Sequence, residues 1–307
     1  MVSLAVALML QAGGPAVLPK REYNGIGRAL PVTVRPIPAV ARLTLALYAA
    51  GEESAWREAP LARESADLAK LFPELWTAKR ASVLYVQARI NGRDDGTPLV
   101  LQPMTNPPVA RLNADGKTID FLPDEDQEFA GYRAYPDRNL QLRTSMGDLE
   151  FRLRPDCAPN TVVHVRGFVT GGLYTDTIWH RIVAKHPVNG NPFVIQGGDP
   201  AGTGSGGPGW AYALEKSSLP HDFGVVSIAR STDPNTNGCQ LFVALSRDGT
   251  KHLDGKYAAF GQLVKGADVL RKLAAVPVGK QDRPLDPPKI REARLVEAGP
   301  YAGRQIR

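Results

Sequence analysis

The sequence predicts a mainly β protein. Its C-terminal half is expected to form a closed, mostly antiparallel eight-stranded barrel with two helices, and a smaller β-rich domain should precede it. Two observations carry this. Short apolar, β-branched runs recur along the chain, separated by Gly, Asn, Asp or Pro, while helical spacing is confined to a few stretches. A series of short strands with a helix near each end favours closure, because closing a sheet removes its exposed edges. At 307 residues and 43% hydrophobic content the chain can hold two domains with real cores.

The elements follow in order. Residues 1–29 are set aside as a signal or leader, and the prolines and glycines of residues 13–40 read as an extended segment. A β-rich domain is expected over residues 30–135. It opens with RLTLALY, whose Leu43, Leu45 and Leu47 alternate onto one face of a strand. Leu61, Leu68, Leu71, Phe72, Leu75 and Trp76 have helical spacing, so a helix is expected over residues 61–80, kinked or divided at Pro73. SVLYVQARI and PLVLQPM flank NGRDDG, and VARLNA and KTIDFL flank Asp115-Gly116. Each pair reads as a hairpin.

The polar, turn-rich residues 123–138 mark the junction, and the second domain is expected over residues 136–298, with residues 299–307 as a tail. Two strands should meet at Met146-Gly147-Asp148. A helix should start at Pro159 and stop at Gly171-Gly172, with Val162, Val163, Val165, Phe168 and Val169 on one side. Strands TIWHRIV, FVIQGG, GVVSIAR, QLFVAL and YAAFGQLV come next, then the helix GADVLRKLAAV and the last strand KIREARLVEA. A packed barrel interior would leave the active site on an outer face.

Charge and composition narrow the function. Lys+Arg and Asp+Glu balance at 15 each over residues 1–135, against 22 and 16 over residues 136–307, so the net +6 lies wholly in the second part. It is spread singly, and a nucleic-acid surface is not expected. Cys157 and Cys239 stand 82 residues apart outside any Cys-x-x-Cys spacing, and both are expected to be buried thiols. VSLAVALML, residues 2–10, is too short to span a membrane, so no integral span is expected. It reads either as a secretory signal or as a first strand or disordered start. The signal reading places the protein in the periplasm or cell envelope, which is favoured over the cytoplasm.

Several chemistries find no support. GTGSGGPG, residues 202–209, lacks the Lys-Ser or Lys-Thr of a phosphate-binding loop and the dinucleotide fingerprint. The five histidines show no metal spacing, and Ser205 lacks the setting of a nucleophile elbow. What remains is Arg181, Phe193, Gln196, Gln240, Phe242 and Leu253, each of which would pass alone for a surface or core residue.

The words around them change that reading. TSMGDLEFRL, WHRI, FVIQGGDPAGTGSGG, GVVSIARSTDPNTNGCQLFVAL and LDGKYAAFG occur in one order across residues 138–297. In that order the chain resembles the cyclophilin family of peptidyl-prolyl cis-trans isomerases. The resemblance implies a cyclophilin-like barrel, with Arg181, Phe193 and Gln196 as catalytic residues. Val194, Ala229, Arg230, Ser231, Gln240, Phe242, His252, Leu253 and Tyr257 would bind substrate, with Arg230 acting mainly through its main chain. No metal or cofactor is implied. The expected partners are proline-containing unfolded or flexible protein segments, and a monomer is favoured.

Such a site suits the reaction. An X-Pro bond populates both isomers and exchanges slowly because its C–N bond must lose double-bond character, yet no covalent bond breaks. Neither nucleophile nor metal is needed.

The sequence also departs from the family. Trp179 replaces a phenylalanine, Cys239 a small serine, and Tyr257 stands for a rim histidine. His252 stands where many members carry the tryptophan associated with strong cyclosporin binding. Residues 184–192 form a longer link than usual, which either restricts the substrates that enter, the favoured reading, or bulges into solvent. Two alternatives remain at this point: a proline-peptide-binding chaperone or assembly module with little turnover, and an N-terminal domain that sets the biological role by docking to a partner.

Overall fold

The structure is a computed structural model, and it describes residues 16–36, 41–62, 64–77, 82–105, 109–116, 119–122, 129–301 and 303. The signal-like residues 2–10 lie outside the described residues, as do parts of the Pro-rich stretch, of the expected helix and of the junction. The chain divides into two compact units, one of Met1–Asp137 with Glu297–Arg307, the other of Arg138–Val296. No helix among the described residues is long and apolar enough to cross a membrane.

In the first unit, β1 (Val17–Pro19), β2 (Tyr23–Gly25) and β3 (Pro31–Val34) precede β4 (Leu43–Ala49), β5 (Arg57–Pro60) and β6 (Ser65–Asp67). Then come helix α1 (Leu68–Leu71), a 3-10 turn at Pro73–Trp76, β7 (Leu84–Ile90), β8 (Arg93–Thr105), β9 (Val109–Leu112), β10 (Ile119–Leu122) and β11 (Phe129–Pro136). A six-stranded sheet in the order β2-β11-β8-β7-β4-β5 carries most of the unit, beside the three-stranded β1-β3-β6 and the hairpin β9-β10.

Three details differ from expectation. The strands begin at Val17, inside the stretch set aside as leader, and Val17, Leu30 and Val32 are fully buried in this unit's core. The long helix over residues 61–80 does not form. Asp67 caps α1 by accepting from the Ala69 N–H at 3.1 Å, and Phe72, held before Pro73, takes φ −129°, which ends the helix after one turn. Strand β4 is buried along its whole length, not on one face alone. Tyr301 explains part of this: its ring lies 4.8 Å from Tyr48 and 4.7 Å from Tyr85, and its hydroxyl donates to the Ala49 carbonyl at 2.9 Å. Tyr301, one of the residues read as a tail, therefore reaches the core sheet of this unit. The β7–β8 turn falls on Asn91-Gly92, with φ of 51° and 78°, the left-handed pair that a two-residue hairpin requires.

The second unit is the expected closed barrel, in the order β12-β13-β18-β16-β17-β15-β14-β19. Its strands are β12 (Arg138–Thr144), β13 (Gly147–Leu153), β14 (Thr177–Val183), β15 (Val194–Asp199), β16 (Val225–Ile228), β17 (Leu241–Ala244), β18 (Ala259–Lys265) and β19 (Lys289–Glu297). Every pairing is antiparallel.

Helix α2 (Pro159–Thr170) starts on proline, and its free N–H groups at Asn160 and Thr161 donate to the Glu215 carboxylate at 3.0 and 2.8 Å. Helix α3 (Arg247–Thr250) is one turn long, and α4 (Ala267–Ala274) brings Val269, Leu270 and Leu273 inward. Val162, Val165 and Phe168 of α2 join these residues and the inward strand positions Leu140, Phe151, Ile182, Ile195, Val226 and Val243 in one core. Trp179 is fully buried there too, so the larger ring faces inward.

Candidate active site

Alternation along the strands sends one set of side chains into the barrel and the next outward. On β17, Leu241 and Val243 enter the core, while Phe242 points to a separate outer cluster with Val183, Val194 and Leu253. Phe193, Ala229 and Tyr257 pack against that cluster. On β14, bulges between Ile178 and Trp179 and between Trp179 and Arg181 reset the register, so that Arg181 pairs with Gln196. Gln196 in turn pairs with Phe242 across β15 and β17. Arg181, Gln196 and Phe242 therefore form one row across three strands, with the apolar cluster beside it.

The polar members are linked. Gln196 Nε2 donates to Gln240 Oε1 at 2.9 Å, and Gln240 Nε2 donates to the carbonyls of Gly204 and Gly206 at 3.0 and 2.8 Å. Arg181 Nη2 donates to Asp282 Oδ2 at 3.2 Å, and both side chains are about half open to solvent. The Ala229 N–H donates to the Gln240 carbonyl at 2.9 Å. Arg230 lies over the Tyr257 ring, 4.5 Å from its centroid, and donates to the Lys256 carbonyl. Ser231 meets Thr236 through its N–H and its hydroxyl at 3.0 and 2.7 Å. A cavity of about 370 Å³ opens beside Gln196 and Gln240, bounded by the glycine loop, Trp210 and the residues 229–231.

His252, at the rim, stacks on Phe193 with 5.7 Å between centroids and 18° between planes. The long link contributes His186, edge-on to Phe193 at 4.6 Å and 5.1 Å from His252. Burial, then the neighbouring His186, pushes the His252 pKa down. The link folds on itself through His186 N–H to the Asn191 carbonyl at 2.7 Å, while its tip, Val188, is exposed. Phe193, Val194, Ala229, Phe242, Leu253 and Tyr257 thus meet in one apolar cluster, Gln196, Ala229, Arg230, Ser231 and Gln240 line the cavity, His252 stacks on Phe193, and Arg181 joins them through its pairing with Gln196.

Four residues emerge from the structure that the sequence reading passed over. His221 is fully buried and stacks on Phe242 at 5.7 Å and 12°, so it backs the apolar cleft. Its Nδ1 lies 3.1 Å from Oδ1 of Asp254, the second of the four, and its Nε2 3.1 Å from the Ser227 hydroxyl. Asp199 accepts from the N–H groups of Ala201, Thr203, Gly204 and Gly206 and holds the glycine loop. Burial pushes its carboxyl up, but those donors outweigh it and hold it below the ordinary carboxylate value. A Cβ on Gly206 would sit 2.0 Å from Asp199 Oδ1, which is why only glycine fits there. The fourth is Asp282, the partner of Arg181. The signal for Asp199 was present, an Asp followed by glycines in QGGDPAGTG. The other three meet their partners only through the fold.

The cysteines are apart from this chemistry. Both are buried and unpaired, and burial pushes each thiol up to about 11, so neither is a ready thiolate.

An apolar cluster separate from the barrel core thus lies beside a cross-strand row of guanidinium and amide side chains. The cyclophilin type peptidyl-prolyl cis-trans isomerase family model matches residues 139–295. Peptidyl-prolyl cis-trans isomerase-like 1 of Gibberella zeae is 39% identical over 164 residues, covering 52% of this chain and 95% of the relative. The protein of that name in Emericella nidulans is 38% identical over 166 residues, covering 52% and 96%. A cyclophilin-type isomerase from Cryptosporidium parvum, crystallised in the presence of the dipeptide Ala-Pro, is 33% identical, covers 51% of this chain and 98% of its own, and has a TM-score of 0.46. The chain belongs to the cyclophilin-type peptidyl-prolyl cis-trans isomerase family, and it acts on X-Pro bonds in protein segments.

Proposed function

We infer that the barrel unit lowers the barrier to X-Pro rotation by holding one side of the bond and stabilising the twisted state with Arg181. Phe193, Val194, Phe242 and Leu253 take the proline ring out of water, a burial that stabilises binding by roughly 1.5–3 kcal/mol per fully covered side chain. Gln196, Gln240 and the main chain of residues 229–231 hold the flanking amides, so only one carbonyl is left to turn.

As conjugation is lost, the proline nitrogen regains its lone pair. A guanidinium has five donors in a fixed fork and is always charged, so it can donate to that nitrogen. Planar cis and trans states offer no such lone pair, and the interaction is therefore selective for the transition state. No group has to gain or lose a proton permanently.

The observation that carries this reading is the cross-strand row of Arg181, Gln196 and Phe242 beside the apolar cluster. Exchange NMR on an X-Pro peptide tests it. Arg181→Ala should lower kcat/KM by about 10²-fold or more, the scale of removing one preorganised donor. Phe193→Ala should act mainly on KM. An Arg181→Ala variant within twofold of wild type would overturn the reading.

A further inference from the structure

We propose that Asp282 is a positioning residue for Arg181, holding one branch of the guanidinium so that the rest of the fork faces the cleft. This rests on the catalytic reading of Arg181.

Three observations carry it. Asp282 Oδ2 accepts from Arg181 Nη2 at 3.2 Å, across 101 residues of sequence. Gln281 and Asp282 both adopt left-handed backbone, with φ of 58° and 59°, two consecutive non-glycine residues in a region that side chains disfavour. Finally, the segment is braced to keep that shape. The Gly279 N–H donates to the Arg283 carbonyl at 2.8 Å, the Leu285 N–H to the Pro277 carbonyl at 3.0 Å, and Val278 bridges Pro284. Arg283 Nη1 also donates to the Gly202 carbonyl at 2.8 Å, which ties the segment to the glycine loop that Gln240 holds.

Stability does not explain this arrangement. With 43% and 41% of the two side chains exposed, the ion pair contributes little to folding, and the backbone conformation opposes it. Strain kept in place by its surroundings beside a reacting group is a feature of functional sites. A free arginine samples many rotamers. Tying Nη2 removes most of them and leaves Nε and Nη1 to meet the proline nitrogen. Asp282 meets the site through Arg181, so its role is to position that side chain.

The test uses the full chain and an X-Pro peptide followed by exchange NMR, with Asp282→Asn and Asp282→Gly. Both residues tolerate left-handed backbone, so neither variant should melt below wild type. Asp282→Gly is expected to lower kcat about 3- to 10-fold with KM unchanged, the range carried by ordering one rotamer-rich side chain. The Arg181 Nε–H signal, assigned by its loss in Arg181→Ala, should show faster side-chain motion. In an Arg181→Ala background, Asp282→Gly should have no further effect on kcat, whereas a merely structural role would add. If Arg181→Ala is slow but Asp282→Gly keeps full kcat, the positioning role is wrong and the catalytic reading stands. If Arg181→Ala keeps full activity, both fall.

Discussion

Gln196 and Gln240 are joined by a single hydrogen bond of 2.9 Å, and through Gln240 the strand bearing Gln196 is tied to the carbonyls of Gly204 and Gly206. Gln240 fixes the orientation of the Gln196 amide, because its oxygen can accept only from the Gln196 NH2. Gln240→Leu keeps the volume and removes both functions. It should lower kcat/KM about tenfold, with barrel stability falling by only about 1–2 kcal/mol, the net worth of one or two hydrogen bonds. Exchange NMR and a thermal melt, run together, separate the two effects. A loss of stability with unchanged kcat/KM would show that the link serves the fold alone.

Asp199 should matter more for stability than any residue that lines the cleft. It is 1% exposed and accepts from four backbone N–H groups. Asp199→Ala leaves those donors without their acceptor, which costs roughly 2–4 kcal/mol. The barrel transition should fall by about 5–12 °C in calorimetry. Asp199→Asn should also destabilise, since its NH2 would face donors. A shift under about 2 °C for the alanine variant would mean that the loop holds itself.

How much of this was open to sequence reading depends on distance along the chain. The hairpin at Asn91-Gly92 and the start of α2 at Pro159 are local matters of backbone preference, and both were readable. The helix expected over residues 61–80 failed because apolar spacing alone does not register that Asp67 caps a new start and that Phe72 precedes a proline. At the site, Arg181, Gln196 and Phe242 stand in the motifs WHRI, FVIQGGD and NGCQLF. Their row depends on two bulges in β14 that no alternation pattern reveals. His221 meets Asp254 across 33 residues and Arg181 meets Asp282 across 101, so neither pairing has a local signature.

The His221 cluster makes acid stability a two-stage property. Burial pushes the His221 pKa below its ordinary 6.5, against the opposing pull of Asp254. A base depressed in the fold takes up its proton first in the unfolded chain, so stability is complete above about 6.5 and declines as the pH falls below it. Asp254 behaves as a depressed acid. Burial raises it, but the donors Arg247 and His221 outweigh this and hold it down to about 2 from 3.8. Its contribution is present above about 4 and is lost as the pH falls through about 2. A Tm series from pH 8 to pH 2.5 should therefore be flat at first, then fall in two steps. His221→Asn should shrink the upper step, to which the depressed His180 and His252 also contribute, and keep the lower. An unchanged profile in that variant would place the upper step elsewhere.

Substrate choice should depend on the two imidazoles beside Phe193. His186 and His252 meet Phe193 at 4.6 and 5.7 Å, so the long link and the 3-10 turn Lys251–Leu253 together extend the aromatic wall beyond the proline pocket. An aromatic side chain next to the proline gains an extra ring contact there, whereas alanine does not. Ring pairs contribute about 0.5–1.5 kcal/mol, or roughly 2- to 12-fold in kcat/KM. In His186→Ala and in His252→Ala, the preference for an aromatic over an alanine neighbour should drop by such a factor, and in the double variant by more. For His186→Ala the rate on the alanine peptide should hardly change, because that imidazole lies outside the Arg181 row. Competition between the two peptides in one exchange experiment reads the ratio directly, and an unaltered ratio in both single variants would assign the link no part in selection.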